Sequence, residues 1–216
     1  SGTNSYTGGT VVNGGTLALT SDGTLGGTSG SATINADGTL NLGGTSQTQD
    51  GDVTLAGGTI EDGTLASSGS FTLQGGTVNA TLAGTGGVQQ SSGTTTLSGT
   101  NSYTGGTVVN DGTLALVGNG TLGDTSGSTV VNADGTLDLG ATSQTQDGGV
   151  TLAGGTIQNG TLTSSGTFAL QGGTVGAALA GTGGVLQSGG TTTLTGENSY
   201  TGGTVVSGGT LALAGS

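Results

Sequence analysis

Residues 4–12 read NSYTGGTVV, and the same nine residues stand at 101–109 and again at 198–206. The copies are 97 residues apart both times. A fixed period is typical of repeat proteins, in which one structural unit stacks on the next and no unit buries a core alone. The repeat therefore predicts a stacked architecture instead of a single globular core.

The 97-residue period divides the chain into three parts. Residues 1–97 and 98–194 align without a gap and share 77 identities, and residues 195–216 begin a third copy. We expect one continuous solenoid made of two full repeats and a fragment, truncated at both ends from a longer array.

A shorter pattern repeats within each period: two alternating hydrophobic residues, a Gly-Gly-Thr turn and another hydrophobic residue. It is clearest at 53–60 (VTLAGGTI) and 71–78 (FTLQGGTV). A glycine before a threonine marks five units per period, with an average step of a little over 19 residues, at Gly15, Gly38, Gly58, Gly76 and Gly93.

Each unit has the features of a short strand, a glycine turn and a second strand. Apolar and small or polar residues alternate, β-branched threonines suit a half-exposed pleated face, and frequent glycine disfavours helix. The fold class predicted is all-β, a β-solenoid with about 19 residues per coil and five coils per 97-residue repeat. At about 4.8 Å per coil, eleven coils make a rod about 50 Å long.

Stacking predicts which side chains share an interior column. One column is expected to contain Leu17, Leu40, Ile60, Val78 and Thr95. A second is expected to contain Leu19, Leu42 and Leu97. Two other architectures remain open, a disordered Gly/Thr linker and an array of β-sandwiches. The phased recurrence of aliphatic residues argues against the first, and the short regular sub-period argues against the second.

The composition excludes most chemistry. Among 216 residues there are 53 Gly, 45 Thr and twelve carboxylates, but no Lys, Arg, His, Cys, Met, Trp or Pro. A net charge of −12 without cations excludes phosphate neutralisation, so no nucleic-acid partner is expected. Nucleophilic triads, structural zinc and disulfides are excluded as well. We expect no enzyme activity and no cofactor, only weak, non-specific calcium binding by the acidic surface.

Three 18-residue segments, 2–19, 99–116 and 196–213, resemble the autotransporter-associated β-strand repeat, also called the passenger-associated transport repeat. The second departs from the first at Asp111, and the third has Glu197 and Ser207. The residues that carry the resemblance, expected to be structural, are Tyr6, Gly8, Gly9, Gly15, Leu17, Tyr103, Gly105, Gly106, Gly112, Leu114, Tyr200, Gly202, Gly203, Gly209 and Leu211.

The resemblance implies a right-handed parallel β-helix at the outer surface of a Gram-negative bacterium, exported by the type V pathway, in which the repeat assists secretion and folding. The function expected is a structural stalk or self-assembling fibre, with the chain itself as partner along the solenoid axis and no membrane insertion of this segment. The alternative is an adhesin module that binds glycans or matrix, or that self-associates between cells.

Two sets of side chains are candidates for a site. Asp50 and Asp52 on one turn are candidate calcium ligands, and with Glu61 and Asp62 they form a candidate catalytic carboxylate cluster. The second period has Asp147, Gly149, Gln158 and Asn159 at the same positions, which argues against both. The tyrosines and phenylalanines recur once per period, a spacing that favours core or turn packing over sugar stacking.

The missing cations also predict a response to pH. Since no carboxylate has a basic partner, we expect their mutual repulsion to dominate, so that protonation raises stability.

Overall fold

The computed structural model describes residues 1–214, which form an all-β solenoid. None of these residues belongs to a helix long and apolar enough to cross a membrane. The strands of the described residues are β1 (Thr10–Ala18), β2 (Ala32–Gln49), β3 (Val53–Ala56), β4 (Thr59–Ser67), β5 (Phe71–Leu73), β6 (Gly76–Val78), β7 (Thr81–Ala83), β8 (Val88–Gln90), β9 (Thr94–Leu97), β10 (Thr107–Leu116), β11 (Thr129–Asp138), β12 (Ser143–Thr145), β13 (Val150–Ala153), β14 (Thr156–Gln158), β15 (Thr161–Thr163), β16 (Phe168–Leu170), β17 (Gly173–Val175), β18 (Ala178–Ala180), β19 (Val185–Gln187), β20 (Thr191–Leu194), β21 (Thr204–Val206) and β22 (Thr210–Leu213).

The strands pair in parallel along three faces of the rod. On the first face a continuous ladder joins successive coils, which we number 1 to 11 by the first residue of each rung: Thr10, Ala32, Val53, Phe71, Val88, Thr107, Thr129, Val150, Phe168, Val185 and Thr204. The structure thus has the eleven coils that were predicted, and ten spacings of about 4.8 Å correspond to about 48 Å.

The second face follows the first across a glycine-rich corner, and the third closes the coil. Thr59 pairs with Thr77 on the second face, and Leu65 pairs with Leu82 on the third. Strands β2 and β4 each continue through the corner between the second and third faces, and their pairing shifts register there, between Asn41 and Thr45.

The core is one coil wide and consists of the inward side of each short strand. In β3 and β5 the pattern is buried, half-buried, buried, with Val53, Leu55 and Phe71 fully inaccessible to solvent. A coil therefore needs only a few aliphatic residues. This explains how a chain with 29% hydrophobic residues folds, and it removes the disordered-linker alternative.

Close packing of coils requires glycine at the corners. A Cβ on Gly58 would overlap the carbonyl oxygens of Asn35 and Gly38 in the preceding coil. Gly57 beside it has φ of 95°, a conformation that side-chain-bearing residues rarely adopt. The Gly-Gly pair thus combines a left-handed turn with close backbone contact.

One predicted column is confirmed in part. Leu17 pairs with Leu40, Leu40 with Ile60 and Ile60 with Val78. The assignment of Thr95 was wrong, because Val78 pairs with Leu97 instead. Leu97 also pairs with Leu116, so the two predicted columns merge at this coil.

The shift has a local cause in the corner after β8. The buried Gln90 side chain folds back and donates from Nε2 to the carbonyl oxygens of Ser92 and Gly93, at 2.6 and 3.1 Å. This corner holds two residues more than the preceding one, so Thr95 faces Gly76 and not Val78. The Thr95 hydroxyl accepts the backbone N–H of Gly75 at 3.2 Å.

Candidate functional site

Carboxylates are dispersed along the rod. Within residues 1–214, no three His, Cys, Asp or Glu side chains lie close enough together to hold one metal ion. The side chains with a defined arrangement are those that join one coil to the next: the repeat signature, the acid–amide clusters and the buried glutamines.

The signature tyrosine packs beside the corner that precedes the first face. Tyr103 is fully buried, its ring centroid lies 6.4 Å from that of Phe71, and its hydroxyl is 2.7 Å from Thr107 Oγ1. Tyr200 repeats this arrangement, with Phe168 at 6.3 Å and Thr204 Oγ1 at 2.7 Å.

The environment of the tyrosine changes along the rod. Burial raises the pKa of Tyr103 well above its ordinary value, and the hydrogen bond to Thr107 only partly opposes that rise. Tyr6, on the first coil, is 45% exposed, and its hydroxyl is 2.9 Å from Thr10 Oγ1. The expected core packing is confirmed for Tyr103. Tyr6 is more exposed but packs beside a turn, because a Cβ added to Gly26 would lie 2.7 Å from its ring.

The signature glycines and leucines occupy two kinds of position. A Cβ on Gly105 would lie 2.5 Å from Gly87 N, and one on Gly9 would lie 2.8 Å from Ser31 O. Gly106, Gly112, Gly202 and Gly209 are similarly close to an adjacent coil, whereas Gly8, Gly15 and Gly203 have open space around them. The leucines face the core, with Leu114 fully buried and Leu17 and Leu211 partly buried.

The signature asparagine joins three coils, a role that the sequence did not reveal. Asn101 Oδ1 accepts the Leu82 N–H at 2.8 Å, and its Nδ2 donates to the Thr121 carbonyl oxygen at 2.8 Å. Its backbone N–H donates to Thr121 Oγ1 at 2.7 Å. Asn4 makes the same two contacts with Thr24. The only sequence signal of this role was that the asparagine recurs at the same position of every 97-residue period.

An acid–amide cluster connects coils 2 and 3 at the corner between the second and third faces. Asn41 Nδ2 donates to Glu61 Oε1 at 3.0 Å and to Asp62 Oδ2 at 2.6 Å. Asp62 has φ of 58°, a left-handed conformation that Asp and Asn tolerate. Asn41 Oδ1 also accepts the Gly43 N–H at 2.8 Å.

The second period has the same cluster with the charges exchanged. Asp138 replaces Asn41, and Gln158 and Asn159 replace the two acids. Gln158 Nε2 donates to Asp138 Oδ2 at 2.9 Å, and Asn159 Nδ2 donates to Asp138 Oδ1 at 2.7 Å. The exchange reverses the donors and acceptors but keeps every pair complementary. These residues therefore connect coils in both periods.

The remaining predicted acids lie apart from this cluster. Asp52 Oδ1 accepts the Ser70 N–H at 2.8 Å, and Asp50 Oδ1 is 3.4 Å from Ser68 Oγ. In the second period Asp147 Oδ1 accepts both the N–H and the hydroxyl of Ser165, at 2.9 and 2.7 Å. The four predicted carboxylates thus divide between two corners.

Hydrogen bonds lower the pKa of several carboxylates. Partial burial raises the pKa of Asp138, but donors from Asn159, the Gly140 amide and Gln158 outweigh that effect. Ser126 lowers the pKa of Asp124, and Ser165 lowers that of Asp147. A lowered folded-state pKa contributes stability above the ordinary pKa and loses it as the pH falls through the folded value. For these three groups the expectation of stabilisation by acid was wrong.

Asp138→Asn tests the cluster. We expect a loss of about 1 kcal/mol in the free energy of unfolding at pH 7, because a partly exposed charged acceptor is lost. As the pH falls from 3.8 through the lower folded-state pKa, the wild type should lose the same contribution, so the free energies of unfolding of the two proteins should converge. Urea denaturation at pH 7, 5 and 3 measures both effects.

The first period supplies the matched control. Asp138→Asn combined with Gln158→Glu and Asn159→Asp installs the Asn41, Glu61 and Asp62 arrangement, and should recover most of the loss. If the triple variant is no more stable than the single one, the contacts do not stabilise the coil pair.

Buried glutamines fill the interior of the third face. Gln47 is 5% exposed; its Oε1 accepts the Leu25 N–H at 3.0 Å, and its Nε2 donates to Gly23 O at 3.1 Å and Thr45 Oγ1 at 2.7 Å. Gln144 has the same arrangement in the second period. The segment TSQTQ occurs at 45–49 and 142–146, and this identity was the signal that sequence reasoning missed.

The second buried glutamine differs between the periods. Gln146 Oε1 accepts the Thr129 hydroxyl at 3.2 Å, whereas Gln49 Oε1 has no protein partner and Ala32 stands at the position of Thr129. An unpaired buried polar atom costs about 1–3 kcal/mol.

Thr129→Ala should therefore destabilise the chain by about 1–3 kcal/mol, because it leaves Gln146 Oε1 unpaired. The reverse change, Ala32→Thr with Ile34→Val to make room, transfers the second-period residues and should stabilise by about 1 kcal/mol. Thermal and urea unfolding measure both variants. Equal stability of wild type and Thr129→Ala would contradict the role of this hydroxyl.

A family model described as the passenger-associated transport repeat matches the chain three times, at residues 1–19, 88–116 and 185–213. The resemblance seen in the sequence is thereby confirmed. No curated protein and no solved structure shows significant similarity to the chain. The strands within segment 88–116 pair with one another, because β10 lies beside both β8 and β9.

Proposed function

Because three segments of this chain match the passenger-associated transport repeat, we propose a structural function: a rigid stalk or fibre segment that holds other parts of a bacterial surface protein away from the cell. The repeat implies a secreted, surface-exposed protein of Gram-negative bacteria. We further propose that the segment is not an enzyme, since the side chains needed for most catalysis are missing from its composition.

The observation that supports the stalk is the unbroken first-face ladder over eleven coils. Each coil adds about 4.8 Å of length and only a few buried aliphatic residues. Length therefore grows in proportion to sequence, and the 97-residue period adds about 24 Å without a new type of core.

A second observation supports an additional role in folding during secretion. Each 29-residue match, 88–116 and 185–213, contains strands that pair with each other at a step of 19 residues. Such a segment can form two rungs from its own residues as soon as it emerges, because its contacts are local in sequence. The coils between matches then add to a formed ladder.

The experiment is to lengthen the chain by one period. A chain in which residues 98–194 are duplicated should give a maximum dimension in small-angle X-ray scattering about 24 Å larger than that of the 216-residue chain, with an unchanged cross-section. An increase in cross-section without increase in length would rule out a stalk. Incubation with acidic and neutral polysaccharides, with chain cleavage as the readout, tests the proposed lack of enzyme activity.

A further inference from the structure

The outward side of the first face differs between the two periods. Each three-residue rung places its middle residue outward, and these middle residues pair with one another from coil to coil. In coils 2–5 they are polar: Thr33, Thr54, Thr72 and Gln89. In coils 7–10 they are Val130, Thr151, Ala169 and Leu186, all partly exposed.

Wherever this outward column differs between the two periods, a polar residue of the first period is replaced by an apolar residue in the second. Thr33 becomes Val130, Thr72 becomes Ala169 and Gln89 becomes Leu186, while the remaining positions are identical. Val108 and Val205 continue the column at coils 6 and 11. The second period therefore presents an apolar column, about 24 Å long over the five spacings from coil 6 to coil 11.

The same face carries no charge in the second period. In the first period Asp52 directly precedes the first-face rung of coil 3. The equivalent residue before the rung of coil 8 is Gly149. The first-face rungs with their flanking residues contain no Asp or Glu at 106–110, 128–132, 149–153, 167–171, 184–188 and 203–207. In a chain with net charge −12 and no cation, this is the side on which a second acidic rod can approach without repulsion.

Small residues beside the column allow close approach. A shallow groove of ≈ 280 Å³ opens along Leu186 and Val205, bounded by Gly184, Gly202 and Gly203. An aliphatic side chain of an opposing surface fits such a groove. The repeated rungs of another copy present aliphatic side chains at the same spacing of about 4.8 Å.

We propose that the first face of coils 6–11, the apolar face, binds the same face of a second copy of this chain in a two-fold antiparallel arrangement. The acids favour this orientation. Asp111, Asp124, Asp134 and Asp147 lie at the corners of coils 6–8, whereas residues 148–214 carry one carboxylate, Glu197. An antiparallel pair places the acidic corners of each rod opposite the acid-poor coils of the other.

The size of the face makes this association reversible. Six rungs about 29 Å long and 10–15 Å wide bury about 300–400 Å² per copy, less than the roughly 800 Å² per partner of a stable complex. Each additional period of second-period type would add contacts within one assembly, so longer arrays bind more tightly through multivalency. This inference depends on the proposed function only because both require that the chain folds into a rod.

Sedimentation velocity on the 216-residue chain tests the proposal. The dimer fraction should rise with protein concentration, and it should rise further with added NaCl because salt screens repulsion between the acidic faces. The variant Val130→Thr, Ala169→Thr, Leu186→Gln carries residues that the first period already accommodates at these positions. It should weaken association at least ten-fold.

Matched variants separate the outcomes. Ala115→Thr with Thr193→Gln makes comparable changes on the second face and should leave association unchanged. Thr33→Val, Thr72→Ala and Gln89→Leu together should strengthen it several-fold. A wild type that stays monomeric at all concentrations, or a first-face variant that associates like wild type, overturns the proposal. Small-angle scattering on the same samples reports rod length, so a failure of the stalk is recognised separately.

Discussion

Phe71→Ala is expected to lower the free energy of unfolding by about 3–5 kcal/mol. Phe71 is fully buried in coil 4, between Val53 below and Val88 above in the first-face column. Its ring also packs against Tyr103 at 6.4 Å. The ladders above and below fix the coil spacing, so the surrounding residues have little freedom to close the cavity, and the cost should lie in the upper part of that range.

Tyrosine variants provide the comparison for this measurement. Tyr103→Phe keeps the ring against Phe71 and removes the 2.7 Å contact with Thr107, so a loss of about 1 kcal/mol is expected. Tyr6→Phe, at a 45% exposed ring, should cost less. Urea denaturation followed by circular dichroism gives all three values. If Phe71→Ala costs no more than Tyr103→Phe, packing in the column does not hold the coils together.

The sequence predicted the parts of the fold that depend on local pattern. The alternation in Val53–Leu55 and Phe71–Leu73 identifies inward side chains, because successive residues of a strand point to opposite faces. The 97-residue period then places equivalent strands in successive coils. Coil size, rod length and the column from Leu17 to Val78 follow from these two facts.

Residues whose partners lie a coil away were harder to predict. Asn101 joins residues 19 and 20 positions distant, and no local pattern distinguishes it from a turn asparagine. The exchange of Asn41 with Asp138 is meaningful only together with that of Asp62 with Asn159, 21 residues further on. Thr95 was misplaced because the corner after Gln90 holds two residues more than the preceding corner, and the glycine–threonine pattern does not reveal that difference.

Gly86→Ala is the second change for which a large effect is expected, a loss of about 3 kcal/mol or more. Its added Cβ would overlap the carbonyl oxygen of Gly69 on the preceding coil. Gly86 cannot move away freely, because its N–H donates to Ser67 O at 2.9 Å and its carbonyl oxygen accepts the Gly105 N–H at 3.2 Å. Relief of the overlap therefore requires a wider coil spacing on both sides.

Gly189 is the matched control, because it is also a glycine but has free room around it for a side chain. No heavy atom lies within 4 Å of a Cβ built on Gly189, and the first period has Ser92 at this position. Gly189→Ser should change the free energy of unfolding by less than about 0.5 kcal/mol. Gly183, which faces Gly166 as Gly86 faces Gly69, should repeat the large loss on replacement by alanine. Equal tolerance at Gly86 and Gly189 would mean that the coils are not in backbone contact at this corner, and that glycine serves there only to turn the chain.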